Sequence, residues 1–301
     1  MGVKGVLSVV GVAVIGVLLG LNYSGKHSTP KTDQSVPAAR FQEIKPGLYA
    51  LPTLWKPLWG LATVPTNLFA VRVNKDWVLI DSGGEGAIEH VAEAVKQLLG
   101  SSDRLRAIFY THAHFEHIGG TARLLQDHPD VLHILHEGEM PFLLTTKRHF
   151  WEPTDNWKWA ISRYIAALMN NPLDTLPDIS ANTAVLHGKT GDLADITVQG
   201  KKVSWAPPRG RLQWLHVPGH SPGLMLLRHV PSNTIVAGDI FRIGLDKGTP
   251  KPELLPVINA TQAVSSVKAL ADWGDWQVAY PCHDAGNGSS HAQFSDFANS
   301  L

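Results

Sequence analysis

Four chemically active side chains fall between positions 112 and 117: His112, His114, Glu116 and His117, in the stretch YTHAHFEHIGG. Side chains two apart on an extended chain point the same way, so His112 and His114 can converge on one ion. Glu116 and His117 follow where the chain turns towards a helix and can face a second position nearby. Imidazole mixed with carboxylate suits borderline divalent ions, zinc above all. Four residues cannot complete two sites, so the remaining donors must come from distant parts of the chain. Three candidates stand at the ends of strand-like runs: His220 in VPGHSPG, Asp239 in VAGDIF and His283 in YPCHDAG. The glycines and prolines around them imply tight turns that hold a side chain over a sheet edge.

The elements that must position these residues are short and apolar. LFAVRV and WVLID, parted by NKD, predict two paired strands. AIEHVAEAVKQLLG places Ile88, Val91, Ala92, Val95 and Leu98 at helical spacing, with Gly100 as the stop. RAIFYT is a strand that runs into the histidine cluster, HIGGTARLLQD predicts a helix, and VLHILH predicts another strand. From Glu137 to about Asp195 the pattern changes, and Trp157, Ile161, Ile165 and Leu168 share one helical face. An inserted helical flap over residues 137–195 is expected there. KVSWA, LQWLHV, LMLLRHV and TIVAGD predict further strands, followed by the helix ATQAVSSVKALAD and the strand WQVAYP. Sheets covered by helices are the expected class.

Composition narrows the function. The chain has 301 residues and zero formal net charge. A nucleic-acid binder would normally carry a basic excess, so none is expected as partner. Lys201, Lys202, Arg209 and Arg211 in KKVSWAPPRGR read as a solvated hairpin, with anion docking as the alternative. Cys282 is the single cysteine, which rules out an intramolecular disulfide and any CxxC metal site. HEGE at His136 is not HExxH, so no zincin helix is present. Of the other histidines, His90 and His128 are expected to be solvated, and His136 to line a cleft or to be incidental.

Residues 5–21, GVLSVVGVAVIGVLLGL, are uncharged and apolar. As a helix they would span about 26 Å, slightly short of a hydrocarbon core. An uncleaved membrane anchor over 1–22 is the expectation, with a secretory signal as competitor. Flanking cations on both sides give no orientation. Residues 23–40 read as a flexible polar linker, and the globular part runs over 41–301.

Taken together, THAHFEH, the GHSPG turn of His220, Asp239 after a strand and glycine, His283, and LIDSG with Asp81 resemble the metallo-β-lactamase superfamily. The family's corresponding pattern is Thr-His-x-His-x-Asp-His. The resemblance covers roughly Phe41 to the end, excluding the insertion. It implies an α+β fold, a four-layer αββα sandwich with the metals at one edge of the two sheets, to which the chain's own pattern adds the helical insertion and the N-terminal hydrophobic helix. It also implies that His112, His114 and His220 bind a first ion, that Glu116, His117 and His283 bind a second, and that Asp239 bridges. Asp81 would support the site without binding metal. Glu116 and Asp239 would be catalytic as well as ligating, with a hydroxide generated at the metal as the attacking group.

Glu116 departs from the family's aspartate. It keeps the charge and both oxygens, but its reach is longer by about 1.5 Å. Three outcomes stand open: Glu116 still binds the second ion, the protein works with one ion, or the metal chemistry has decayed. The expected cofactor is Zn2+, one ion or two, with iron as the alternative. The expected activity is hydrolysis of a small carbonyl substrate, a lactone, thioester or ester. The alternatives are a mononuclear iron enzyme of the persulfide dioxygenase type using His112, His114 and Asp239, and a catalytically silent binding protein on the same fold.

Overall fold

The computed structural model describes residues 40–55, 64–84, 86–143, 177–246, 249–254, 259–283 and 288–301. Two mixed sheets form its centre. The first has strands β1 (Gln42–Lys45), β2 (Leu48–Trp55), β3 (Val64–Val73), β4 (Asp76–Ile80), β5 (Arg104–Phe109), β6 (Leu132–His136) and β7 (Thr183–Leu186), hydrogen-bonded in chain order. β1 to β4 are antiparallel, and β4 to β7 run parallel. The second sheet holds β8 (Thr190–Asp192), β11 (Leu212–His216), β12 (Met225–His229), β13 (Thr234–Val236), β16 (Val278–Tyr280) and β17 (Ser289–Ser290), in the order β17-β16-β13-β12-β11-β8. Two small hairpins, β9 (Thr197–Val198) with β10 (Lys201–Lys202) and β14 (Arg242–Asp246) with β15 (Thr249–Glu253), complete the strands.

Period-two alternation explains why the sheets stack. In β3 and β4, Phe69, Val71, Val73, Val78 and Ile80 face the second sheet's Leu212, Trp214, Met225, Leu227 and Val236 in one core. The intervening Leu68, Ala70, Trp77 and Leu79 pack under helix α1 (Ile88–Leu98) through Val91, Ala92 and Val95. On the far side, Leu215, Leu226 and Ile235 meet helices α5 (Ala260–Ala271) and α6 (His291–Asn299) through Val267, Leu270, Phe294 and Phe297. Helix, sheet, sheet and helix make four layers, so the expected αββα sandwich is the observed fold. α6 is closed at its start by a capping box between Ser290 and Gln293.

Three sequence expectations change. HIGGTARLLQD is not one helix: α2 (Phe115–Ile118) and α3 (Thr121–Asp127) are parted at Gly119–Gly120. A Cβ on Gly120 would lie 2.0 Å from the Ser82 carbonyl oxygen, so the chain must pass this point bare. The stretch 177–195 is not flap, because β7 and β8 are strands of the two main sheets. Nor is KVSWA a strand along its length, since of its residues only Lys202 pairs, in β10. Between β6 and β7 the described residues hold a 3-10 turn (Glu137–Glu139), helix α4 (Met140–Leu143) and a second 3-10 turn (Ser180–Asn182); the flap's aromatic face at 157–168 lies outside the described residues. So does the anchor at 1–22. Among the described residues, no helix is long and apolar enough to cross a membrane.

Two histidines outside the cluster are buried neutral. Burial pushes His133 down to about 4, and burial followed by the Arg211 charge does the same for His229. His133 packs against Tyr110, whose hydroxyl lies 2.9 Å from Nδ1. Below pH 6.5 the unfolded chain binds protons that these folded imidazoles refuse. Their contribution is therefore complete above pH 6.5 and is lost as pH falls towards 4. Urea midpoints are expected to drop over that window, less steeply in a His133→Gln, His229→Gln double variant. An equal slope in both proteins would contradict the assignment.

Candidate metal centre

All seven predicted side chains meet at one edge of the sandwich. They form two groups: His112, His114, His220 and Asp239, and Glu116, His117, His283 and Asp239. Within each group the potential ligand atoms lie within 4.8 Å of one another. His112 and His114 sit on the turn after β5, and Glu116 and His117 on α2. His220 lies between β11 and β12, Asp239 follows β13, and His283 follows β16.

Asp239 is the hub. Its Oδ2 lies 3.1 Å from His283 Nε2, 3.4 Å from His220 Nε2, 3.5 Å from His117 Nε2 and 3.8 Å from His112 Nε2. In the first group, His114 Nδ1 lies 2.9 Å from His112 Nε2 and 3.1 Å from His220 Nε2. Nitrogens at about 2.05 Å from a tetrahedral zinc would be about 3.3 Å apart, so this spacing is close to that of a coordination shell. Glu116 Oε1 is 3.8 Å from His283 Nε2, in the second group.

Partners outside the cluster fix which nitrogen faces inward. Thr111 Oγ1 gives its proton to the Asp81 carboxylate, which only accepts. The same oxygen, 3.1 Å from His112 Nδ1, must then accept from that ring, leaving Nε2 bare. His117 Nδ1 donates to Asp81 Oδ2 at 2.8 Å, and His283 Nδ1 to the Pro65 carbonyl at 3.0 Å. Three Nε2 atoms are thus aimed at the pocket by groups that never touch it. Asp81 holds the left-handed conformation (φ 64°) and also accepts from Thr111 N at 2.7 Å, so it locks β4 to the turn after β5.

The electrostatics are those of a site built for cations. Burial and the neighbouring His117 and His114 hold His112 well below the usual histidine range. Burial would lower His117 too, but the Asp239 and Asp81 carboxylates outweigh it and raise it well above. Against the same burial, Asp239 lifts His283 to about 9. Burial opposes ionisation of Asp239, yet His283 and His117 keep it well below the carboxylate range. Glu116 goes the other way, raised by burial. His117 Nε2 and Asp239 Oδ1 are enclosed without a hydrogen-bond partner. Enclosed polar atoms of this kind are costly unless something satisfies them. Two such atoms, inside a set of imidazoles and carboxylates, fit a divalent ion.

The match to known proteins agrees with this geometry. A model of the metallo-beta-lactamase superfamily matches residues 61–283. The chain belongs to the metallo-beta-lactamase superfamily. Among its relatives, a Bacillus subtilis protein described as a probable metallo-hydrolase, YflN, is 28% identical over 61% of this chain and 64% of its own length. The chain thus spans somewhat less than two thirds of that relative. An uncharacterised Bacillus subtilis protein, YobT, is 26% identical over 73% of this chain and 84% of its own. Superfamily structures share the fold at low identity. FIM-1 from Pseudomonas aeruginosa, crystallised in a mono-zinc form, gives a TM-score of 0.57 at 15% identity, covering 89% of this chain and 97% of that one. ST1585 from Sulfolobus tokodaii gives 0.54 at 19%, covering 84% and 85%.

Other residues settle into plain roles. Cys282 is buried, its thiol pushed up to about 12 by burial, with Sγ 3.7 Å from Asp81 Oδ2. It groups with Asp81 and His117 behind the pocket. His136 is buried: it stacks on His216 with ring centres 3.7 Å apart and lies 3.0 Å from the Gly188 carbonyl. His90 and His128 are half-buried, less solvated than expected. Arg209 is paired with Asp195, which favours the solvated-hairpin reading of that stretch. Sequence reading missed Glu139, a buried carboxylate that bonds to the backbone beside His112 and His220.

Proposed function

We propose that this chain is a metal-dependent hydrolase acting on a small carbonyl substrate, a lactone, thioester or related ester. The observation that carries the reading is Asp239 standing between two donor groups, with the inward nitrogens of His112, His117 and His283 fixed by partners behind them. His112, His114 and His220 would hold one Zn2+, Glu116, His117 and His283 a second, and Asp239 would serve both. Zinc bound there supplies a Lewis acid for the carbonyl oxygen and lowers the pKa of attacking water towards neutrality.

The chain's own residues prepare that chemistry. His112 and His117 are wholly buried, whereas His114 and His220 keep part of their surface open, so a substrate enters from their side. Glu116 Oε1 and Asp239 Oδ2 lie 3.8 and 3.1 Å from His283 Nε2, so two carboxylates would face the second ion together. Without metal, burial would lower both His117 and His283, but Asp239 overrides it, raising His117 and lifting His283 to about 9, so both rings hold their protons more tightly. Cation uptake must displace those protons, so apparent affinity falls as pH falls. Zero net charge favours a small substrate over a polyanion. The name given to YflN supports hydrolysis. Residues 1–22 would tether the enzyme to a membrane, by the length and apolarity of 5–21.

A second reading rests on Glu116, the longer carboxylate. If it leaves the second position empty, a single iron at His112, His114 and Asp239 would instead serve oxygen chemistry. Elemental analysis of the full chain and an ester, thioester and lactone panel separate the two. The expected result is zinc, with hydrolysis of at least one substrate class. That activity is expected to fall roughly 10²-fold or more in His114→Ala, and to disappear with a chelator. One iron per chain together with oxygen consumption would overturn the hydrolase reading.

A further inference from the structure

We propose that Glu139 is the positioning residue that sets the spacing of the first metal position, by tying the His112–His114 turn to the His220 turn. This rests on the metal-centre reading above. Glu139 ends the 3-10 turn after β6 and is buried. Its Oε2 accepts from Ala113 N at 2.9 Å, the amide lying between the two histidines of the first turn. Its Oε1 accepts from Ser221 Oγ at 2.8 Å and from Gly223 N at 2.6 Å, one and three residues beyond His220. One carboxylate therefore spans two turns whose histidines are 106 positions apart in sequence and 3.1 Å apart in space.

The backbone is shaped around this contact. A Cβ on Gly223 would meet Glu139 Cγ at 2.7 Å, and one on Gly138 would meet the Pro222 carbonyl oxygen at 2.8 Å. A buried charge is tolerated here because several donors converge on it. Each of those donors belongs to a segment that carries a ligand of the first group. The second position is held by other means, His117 by Asp81 and His283 by the Pro65 carbonyl. Loss of the Glu139 charge should therefore be felt at one position only. Glutamine keeps the shape, but its amide must point a donor at one of the donors Glu139 now accepts from.

The test measures Zn2+ affinity of the full chain by competition with a chromophoric chelator in two backgrounds. His283→Ala reports the first position; His114→Ala with His220→Ala reports the second. Glu139→Gln is expected to weaken binding roughly 10- to 100-fold in the His283→Ala background. In the other background it should leave affinity within about twofold. Ser221→Ala, which removes one donor, should give a smaller loss confined to the same background, and the Co2+ absorption bands of the first position should shift in both variants. Equal losses in the two backgrounds, or none in either, would overturn the proposal. So would a Glu139→Gln chain that does not fold while Ser221→Ala binds like its parent. A chain that binds no Zn2+ in either background removes the proposed function and this inference together; binding in both without selective loss removes this inference alone.

Discussion

Asp239→Asn is expected to empty both metal positions and to lower hydrolysis by roughly 10²- to 10³-fold. No other residue of the cluster belongs to both donor groups. Asparagine keeps the volume but withdraws the negative charge that four imidazoles face within 3.8 Å. In the metal-free chain the same change should drop His283 from about 9 to below the ordinary histidine range, because burial, the largest influence, lowers it and Asp239 is the main group raising it. Metal stoichiometry, turnover and an NMR titration of His283 test the three consequences. An Asp239→Asn protein that still takes up metal and turns over near the parental rate would show that the hub lies elsewhere.

The second large effect falls on stability. Asp81→Asn should destabilise the fold by about 3 kcal/mol or more, the usual cost of leaving a buried, charge-assisted network half satisfied. Asp81 is buried and takes bonds from Thr111 N, Thr111 Oγ1 and His117 Nδ1. Asparagine tolerates the left-handed backbone at φ 64°, so the loss reports the carboxylate and not the conformation. Its amide would turn a donor towards one of those donors. Asp81→Ala should cost still more, since alanine resists positive φ. Urea unfolding of the metal-free chains measures this directly; a change under about 0.5 kcal/mol for Asp81→Asn would contradict the assigned network.

The parts of the fold legible in sequence are those written in local patterns. LFAVRV and WVLID read as a hairpin because alternation and the Asn74 turn (φ 60°) are both local, and β3 pairs with β4 as expected. The candidate metal-binding residues were legible for a related reason. Histidines and carboxylates at turns flanked by glycine and proline have few structural uses, so their types declared them even though the chain separates them widely. Glu139 had no such marker. Its partners are 26, 82 and 84 positions away, and HEGE carries no period or spacing that names them. β7 and β8 were missed because TAVL and TGD are too short to outweigh the surrounding change of pattern. The break at Gly119–Gly120 was hidden because its cause, the Ser82 carbonyl, comes from another loop. Glu116 stays the informative departure: it lies in the second group as an aspartate would, but burial raises it where Asp239 is lowered.

The most direct test of the shared centre is anomalous diffraction at the zinc edge from crystals of the chain grown with Zn2+. The expected map has a peak within bonding distance of His112, His114, His220 and Asp239, and a second, where occupied, beside Glu116, His117, His283 and the same Asp239. A map with no peak near Asp239, or with zinc held only by histidines outside these two groups, would contradict the account.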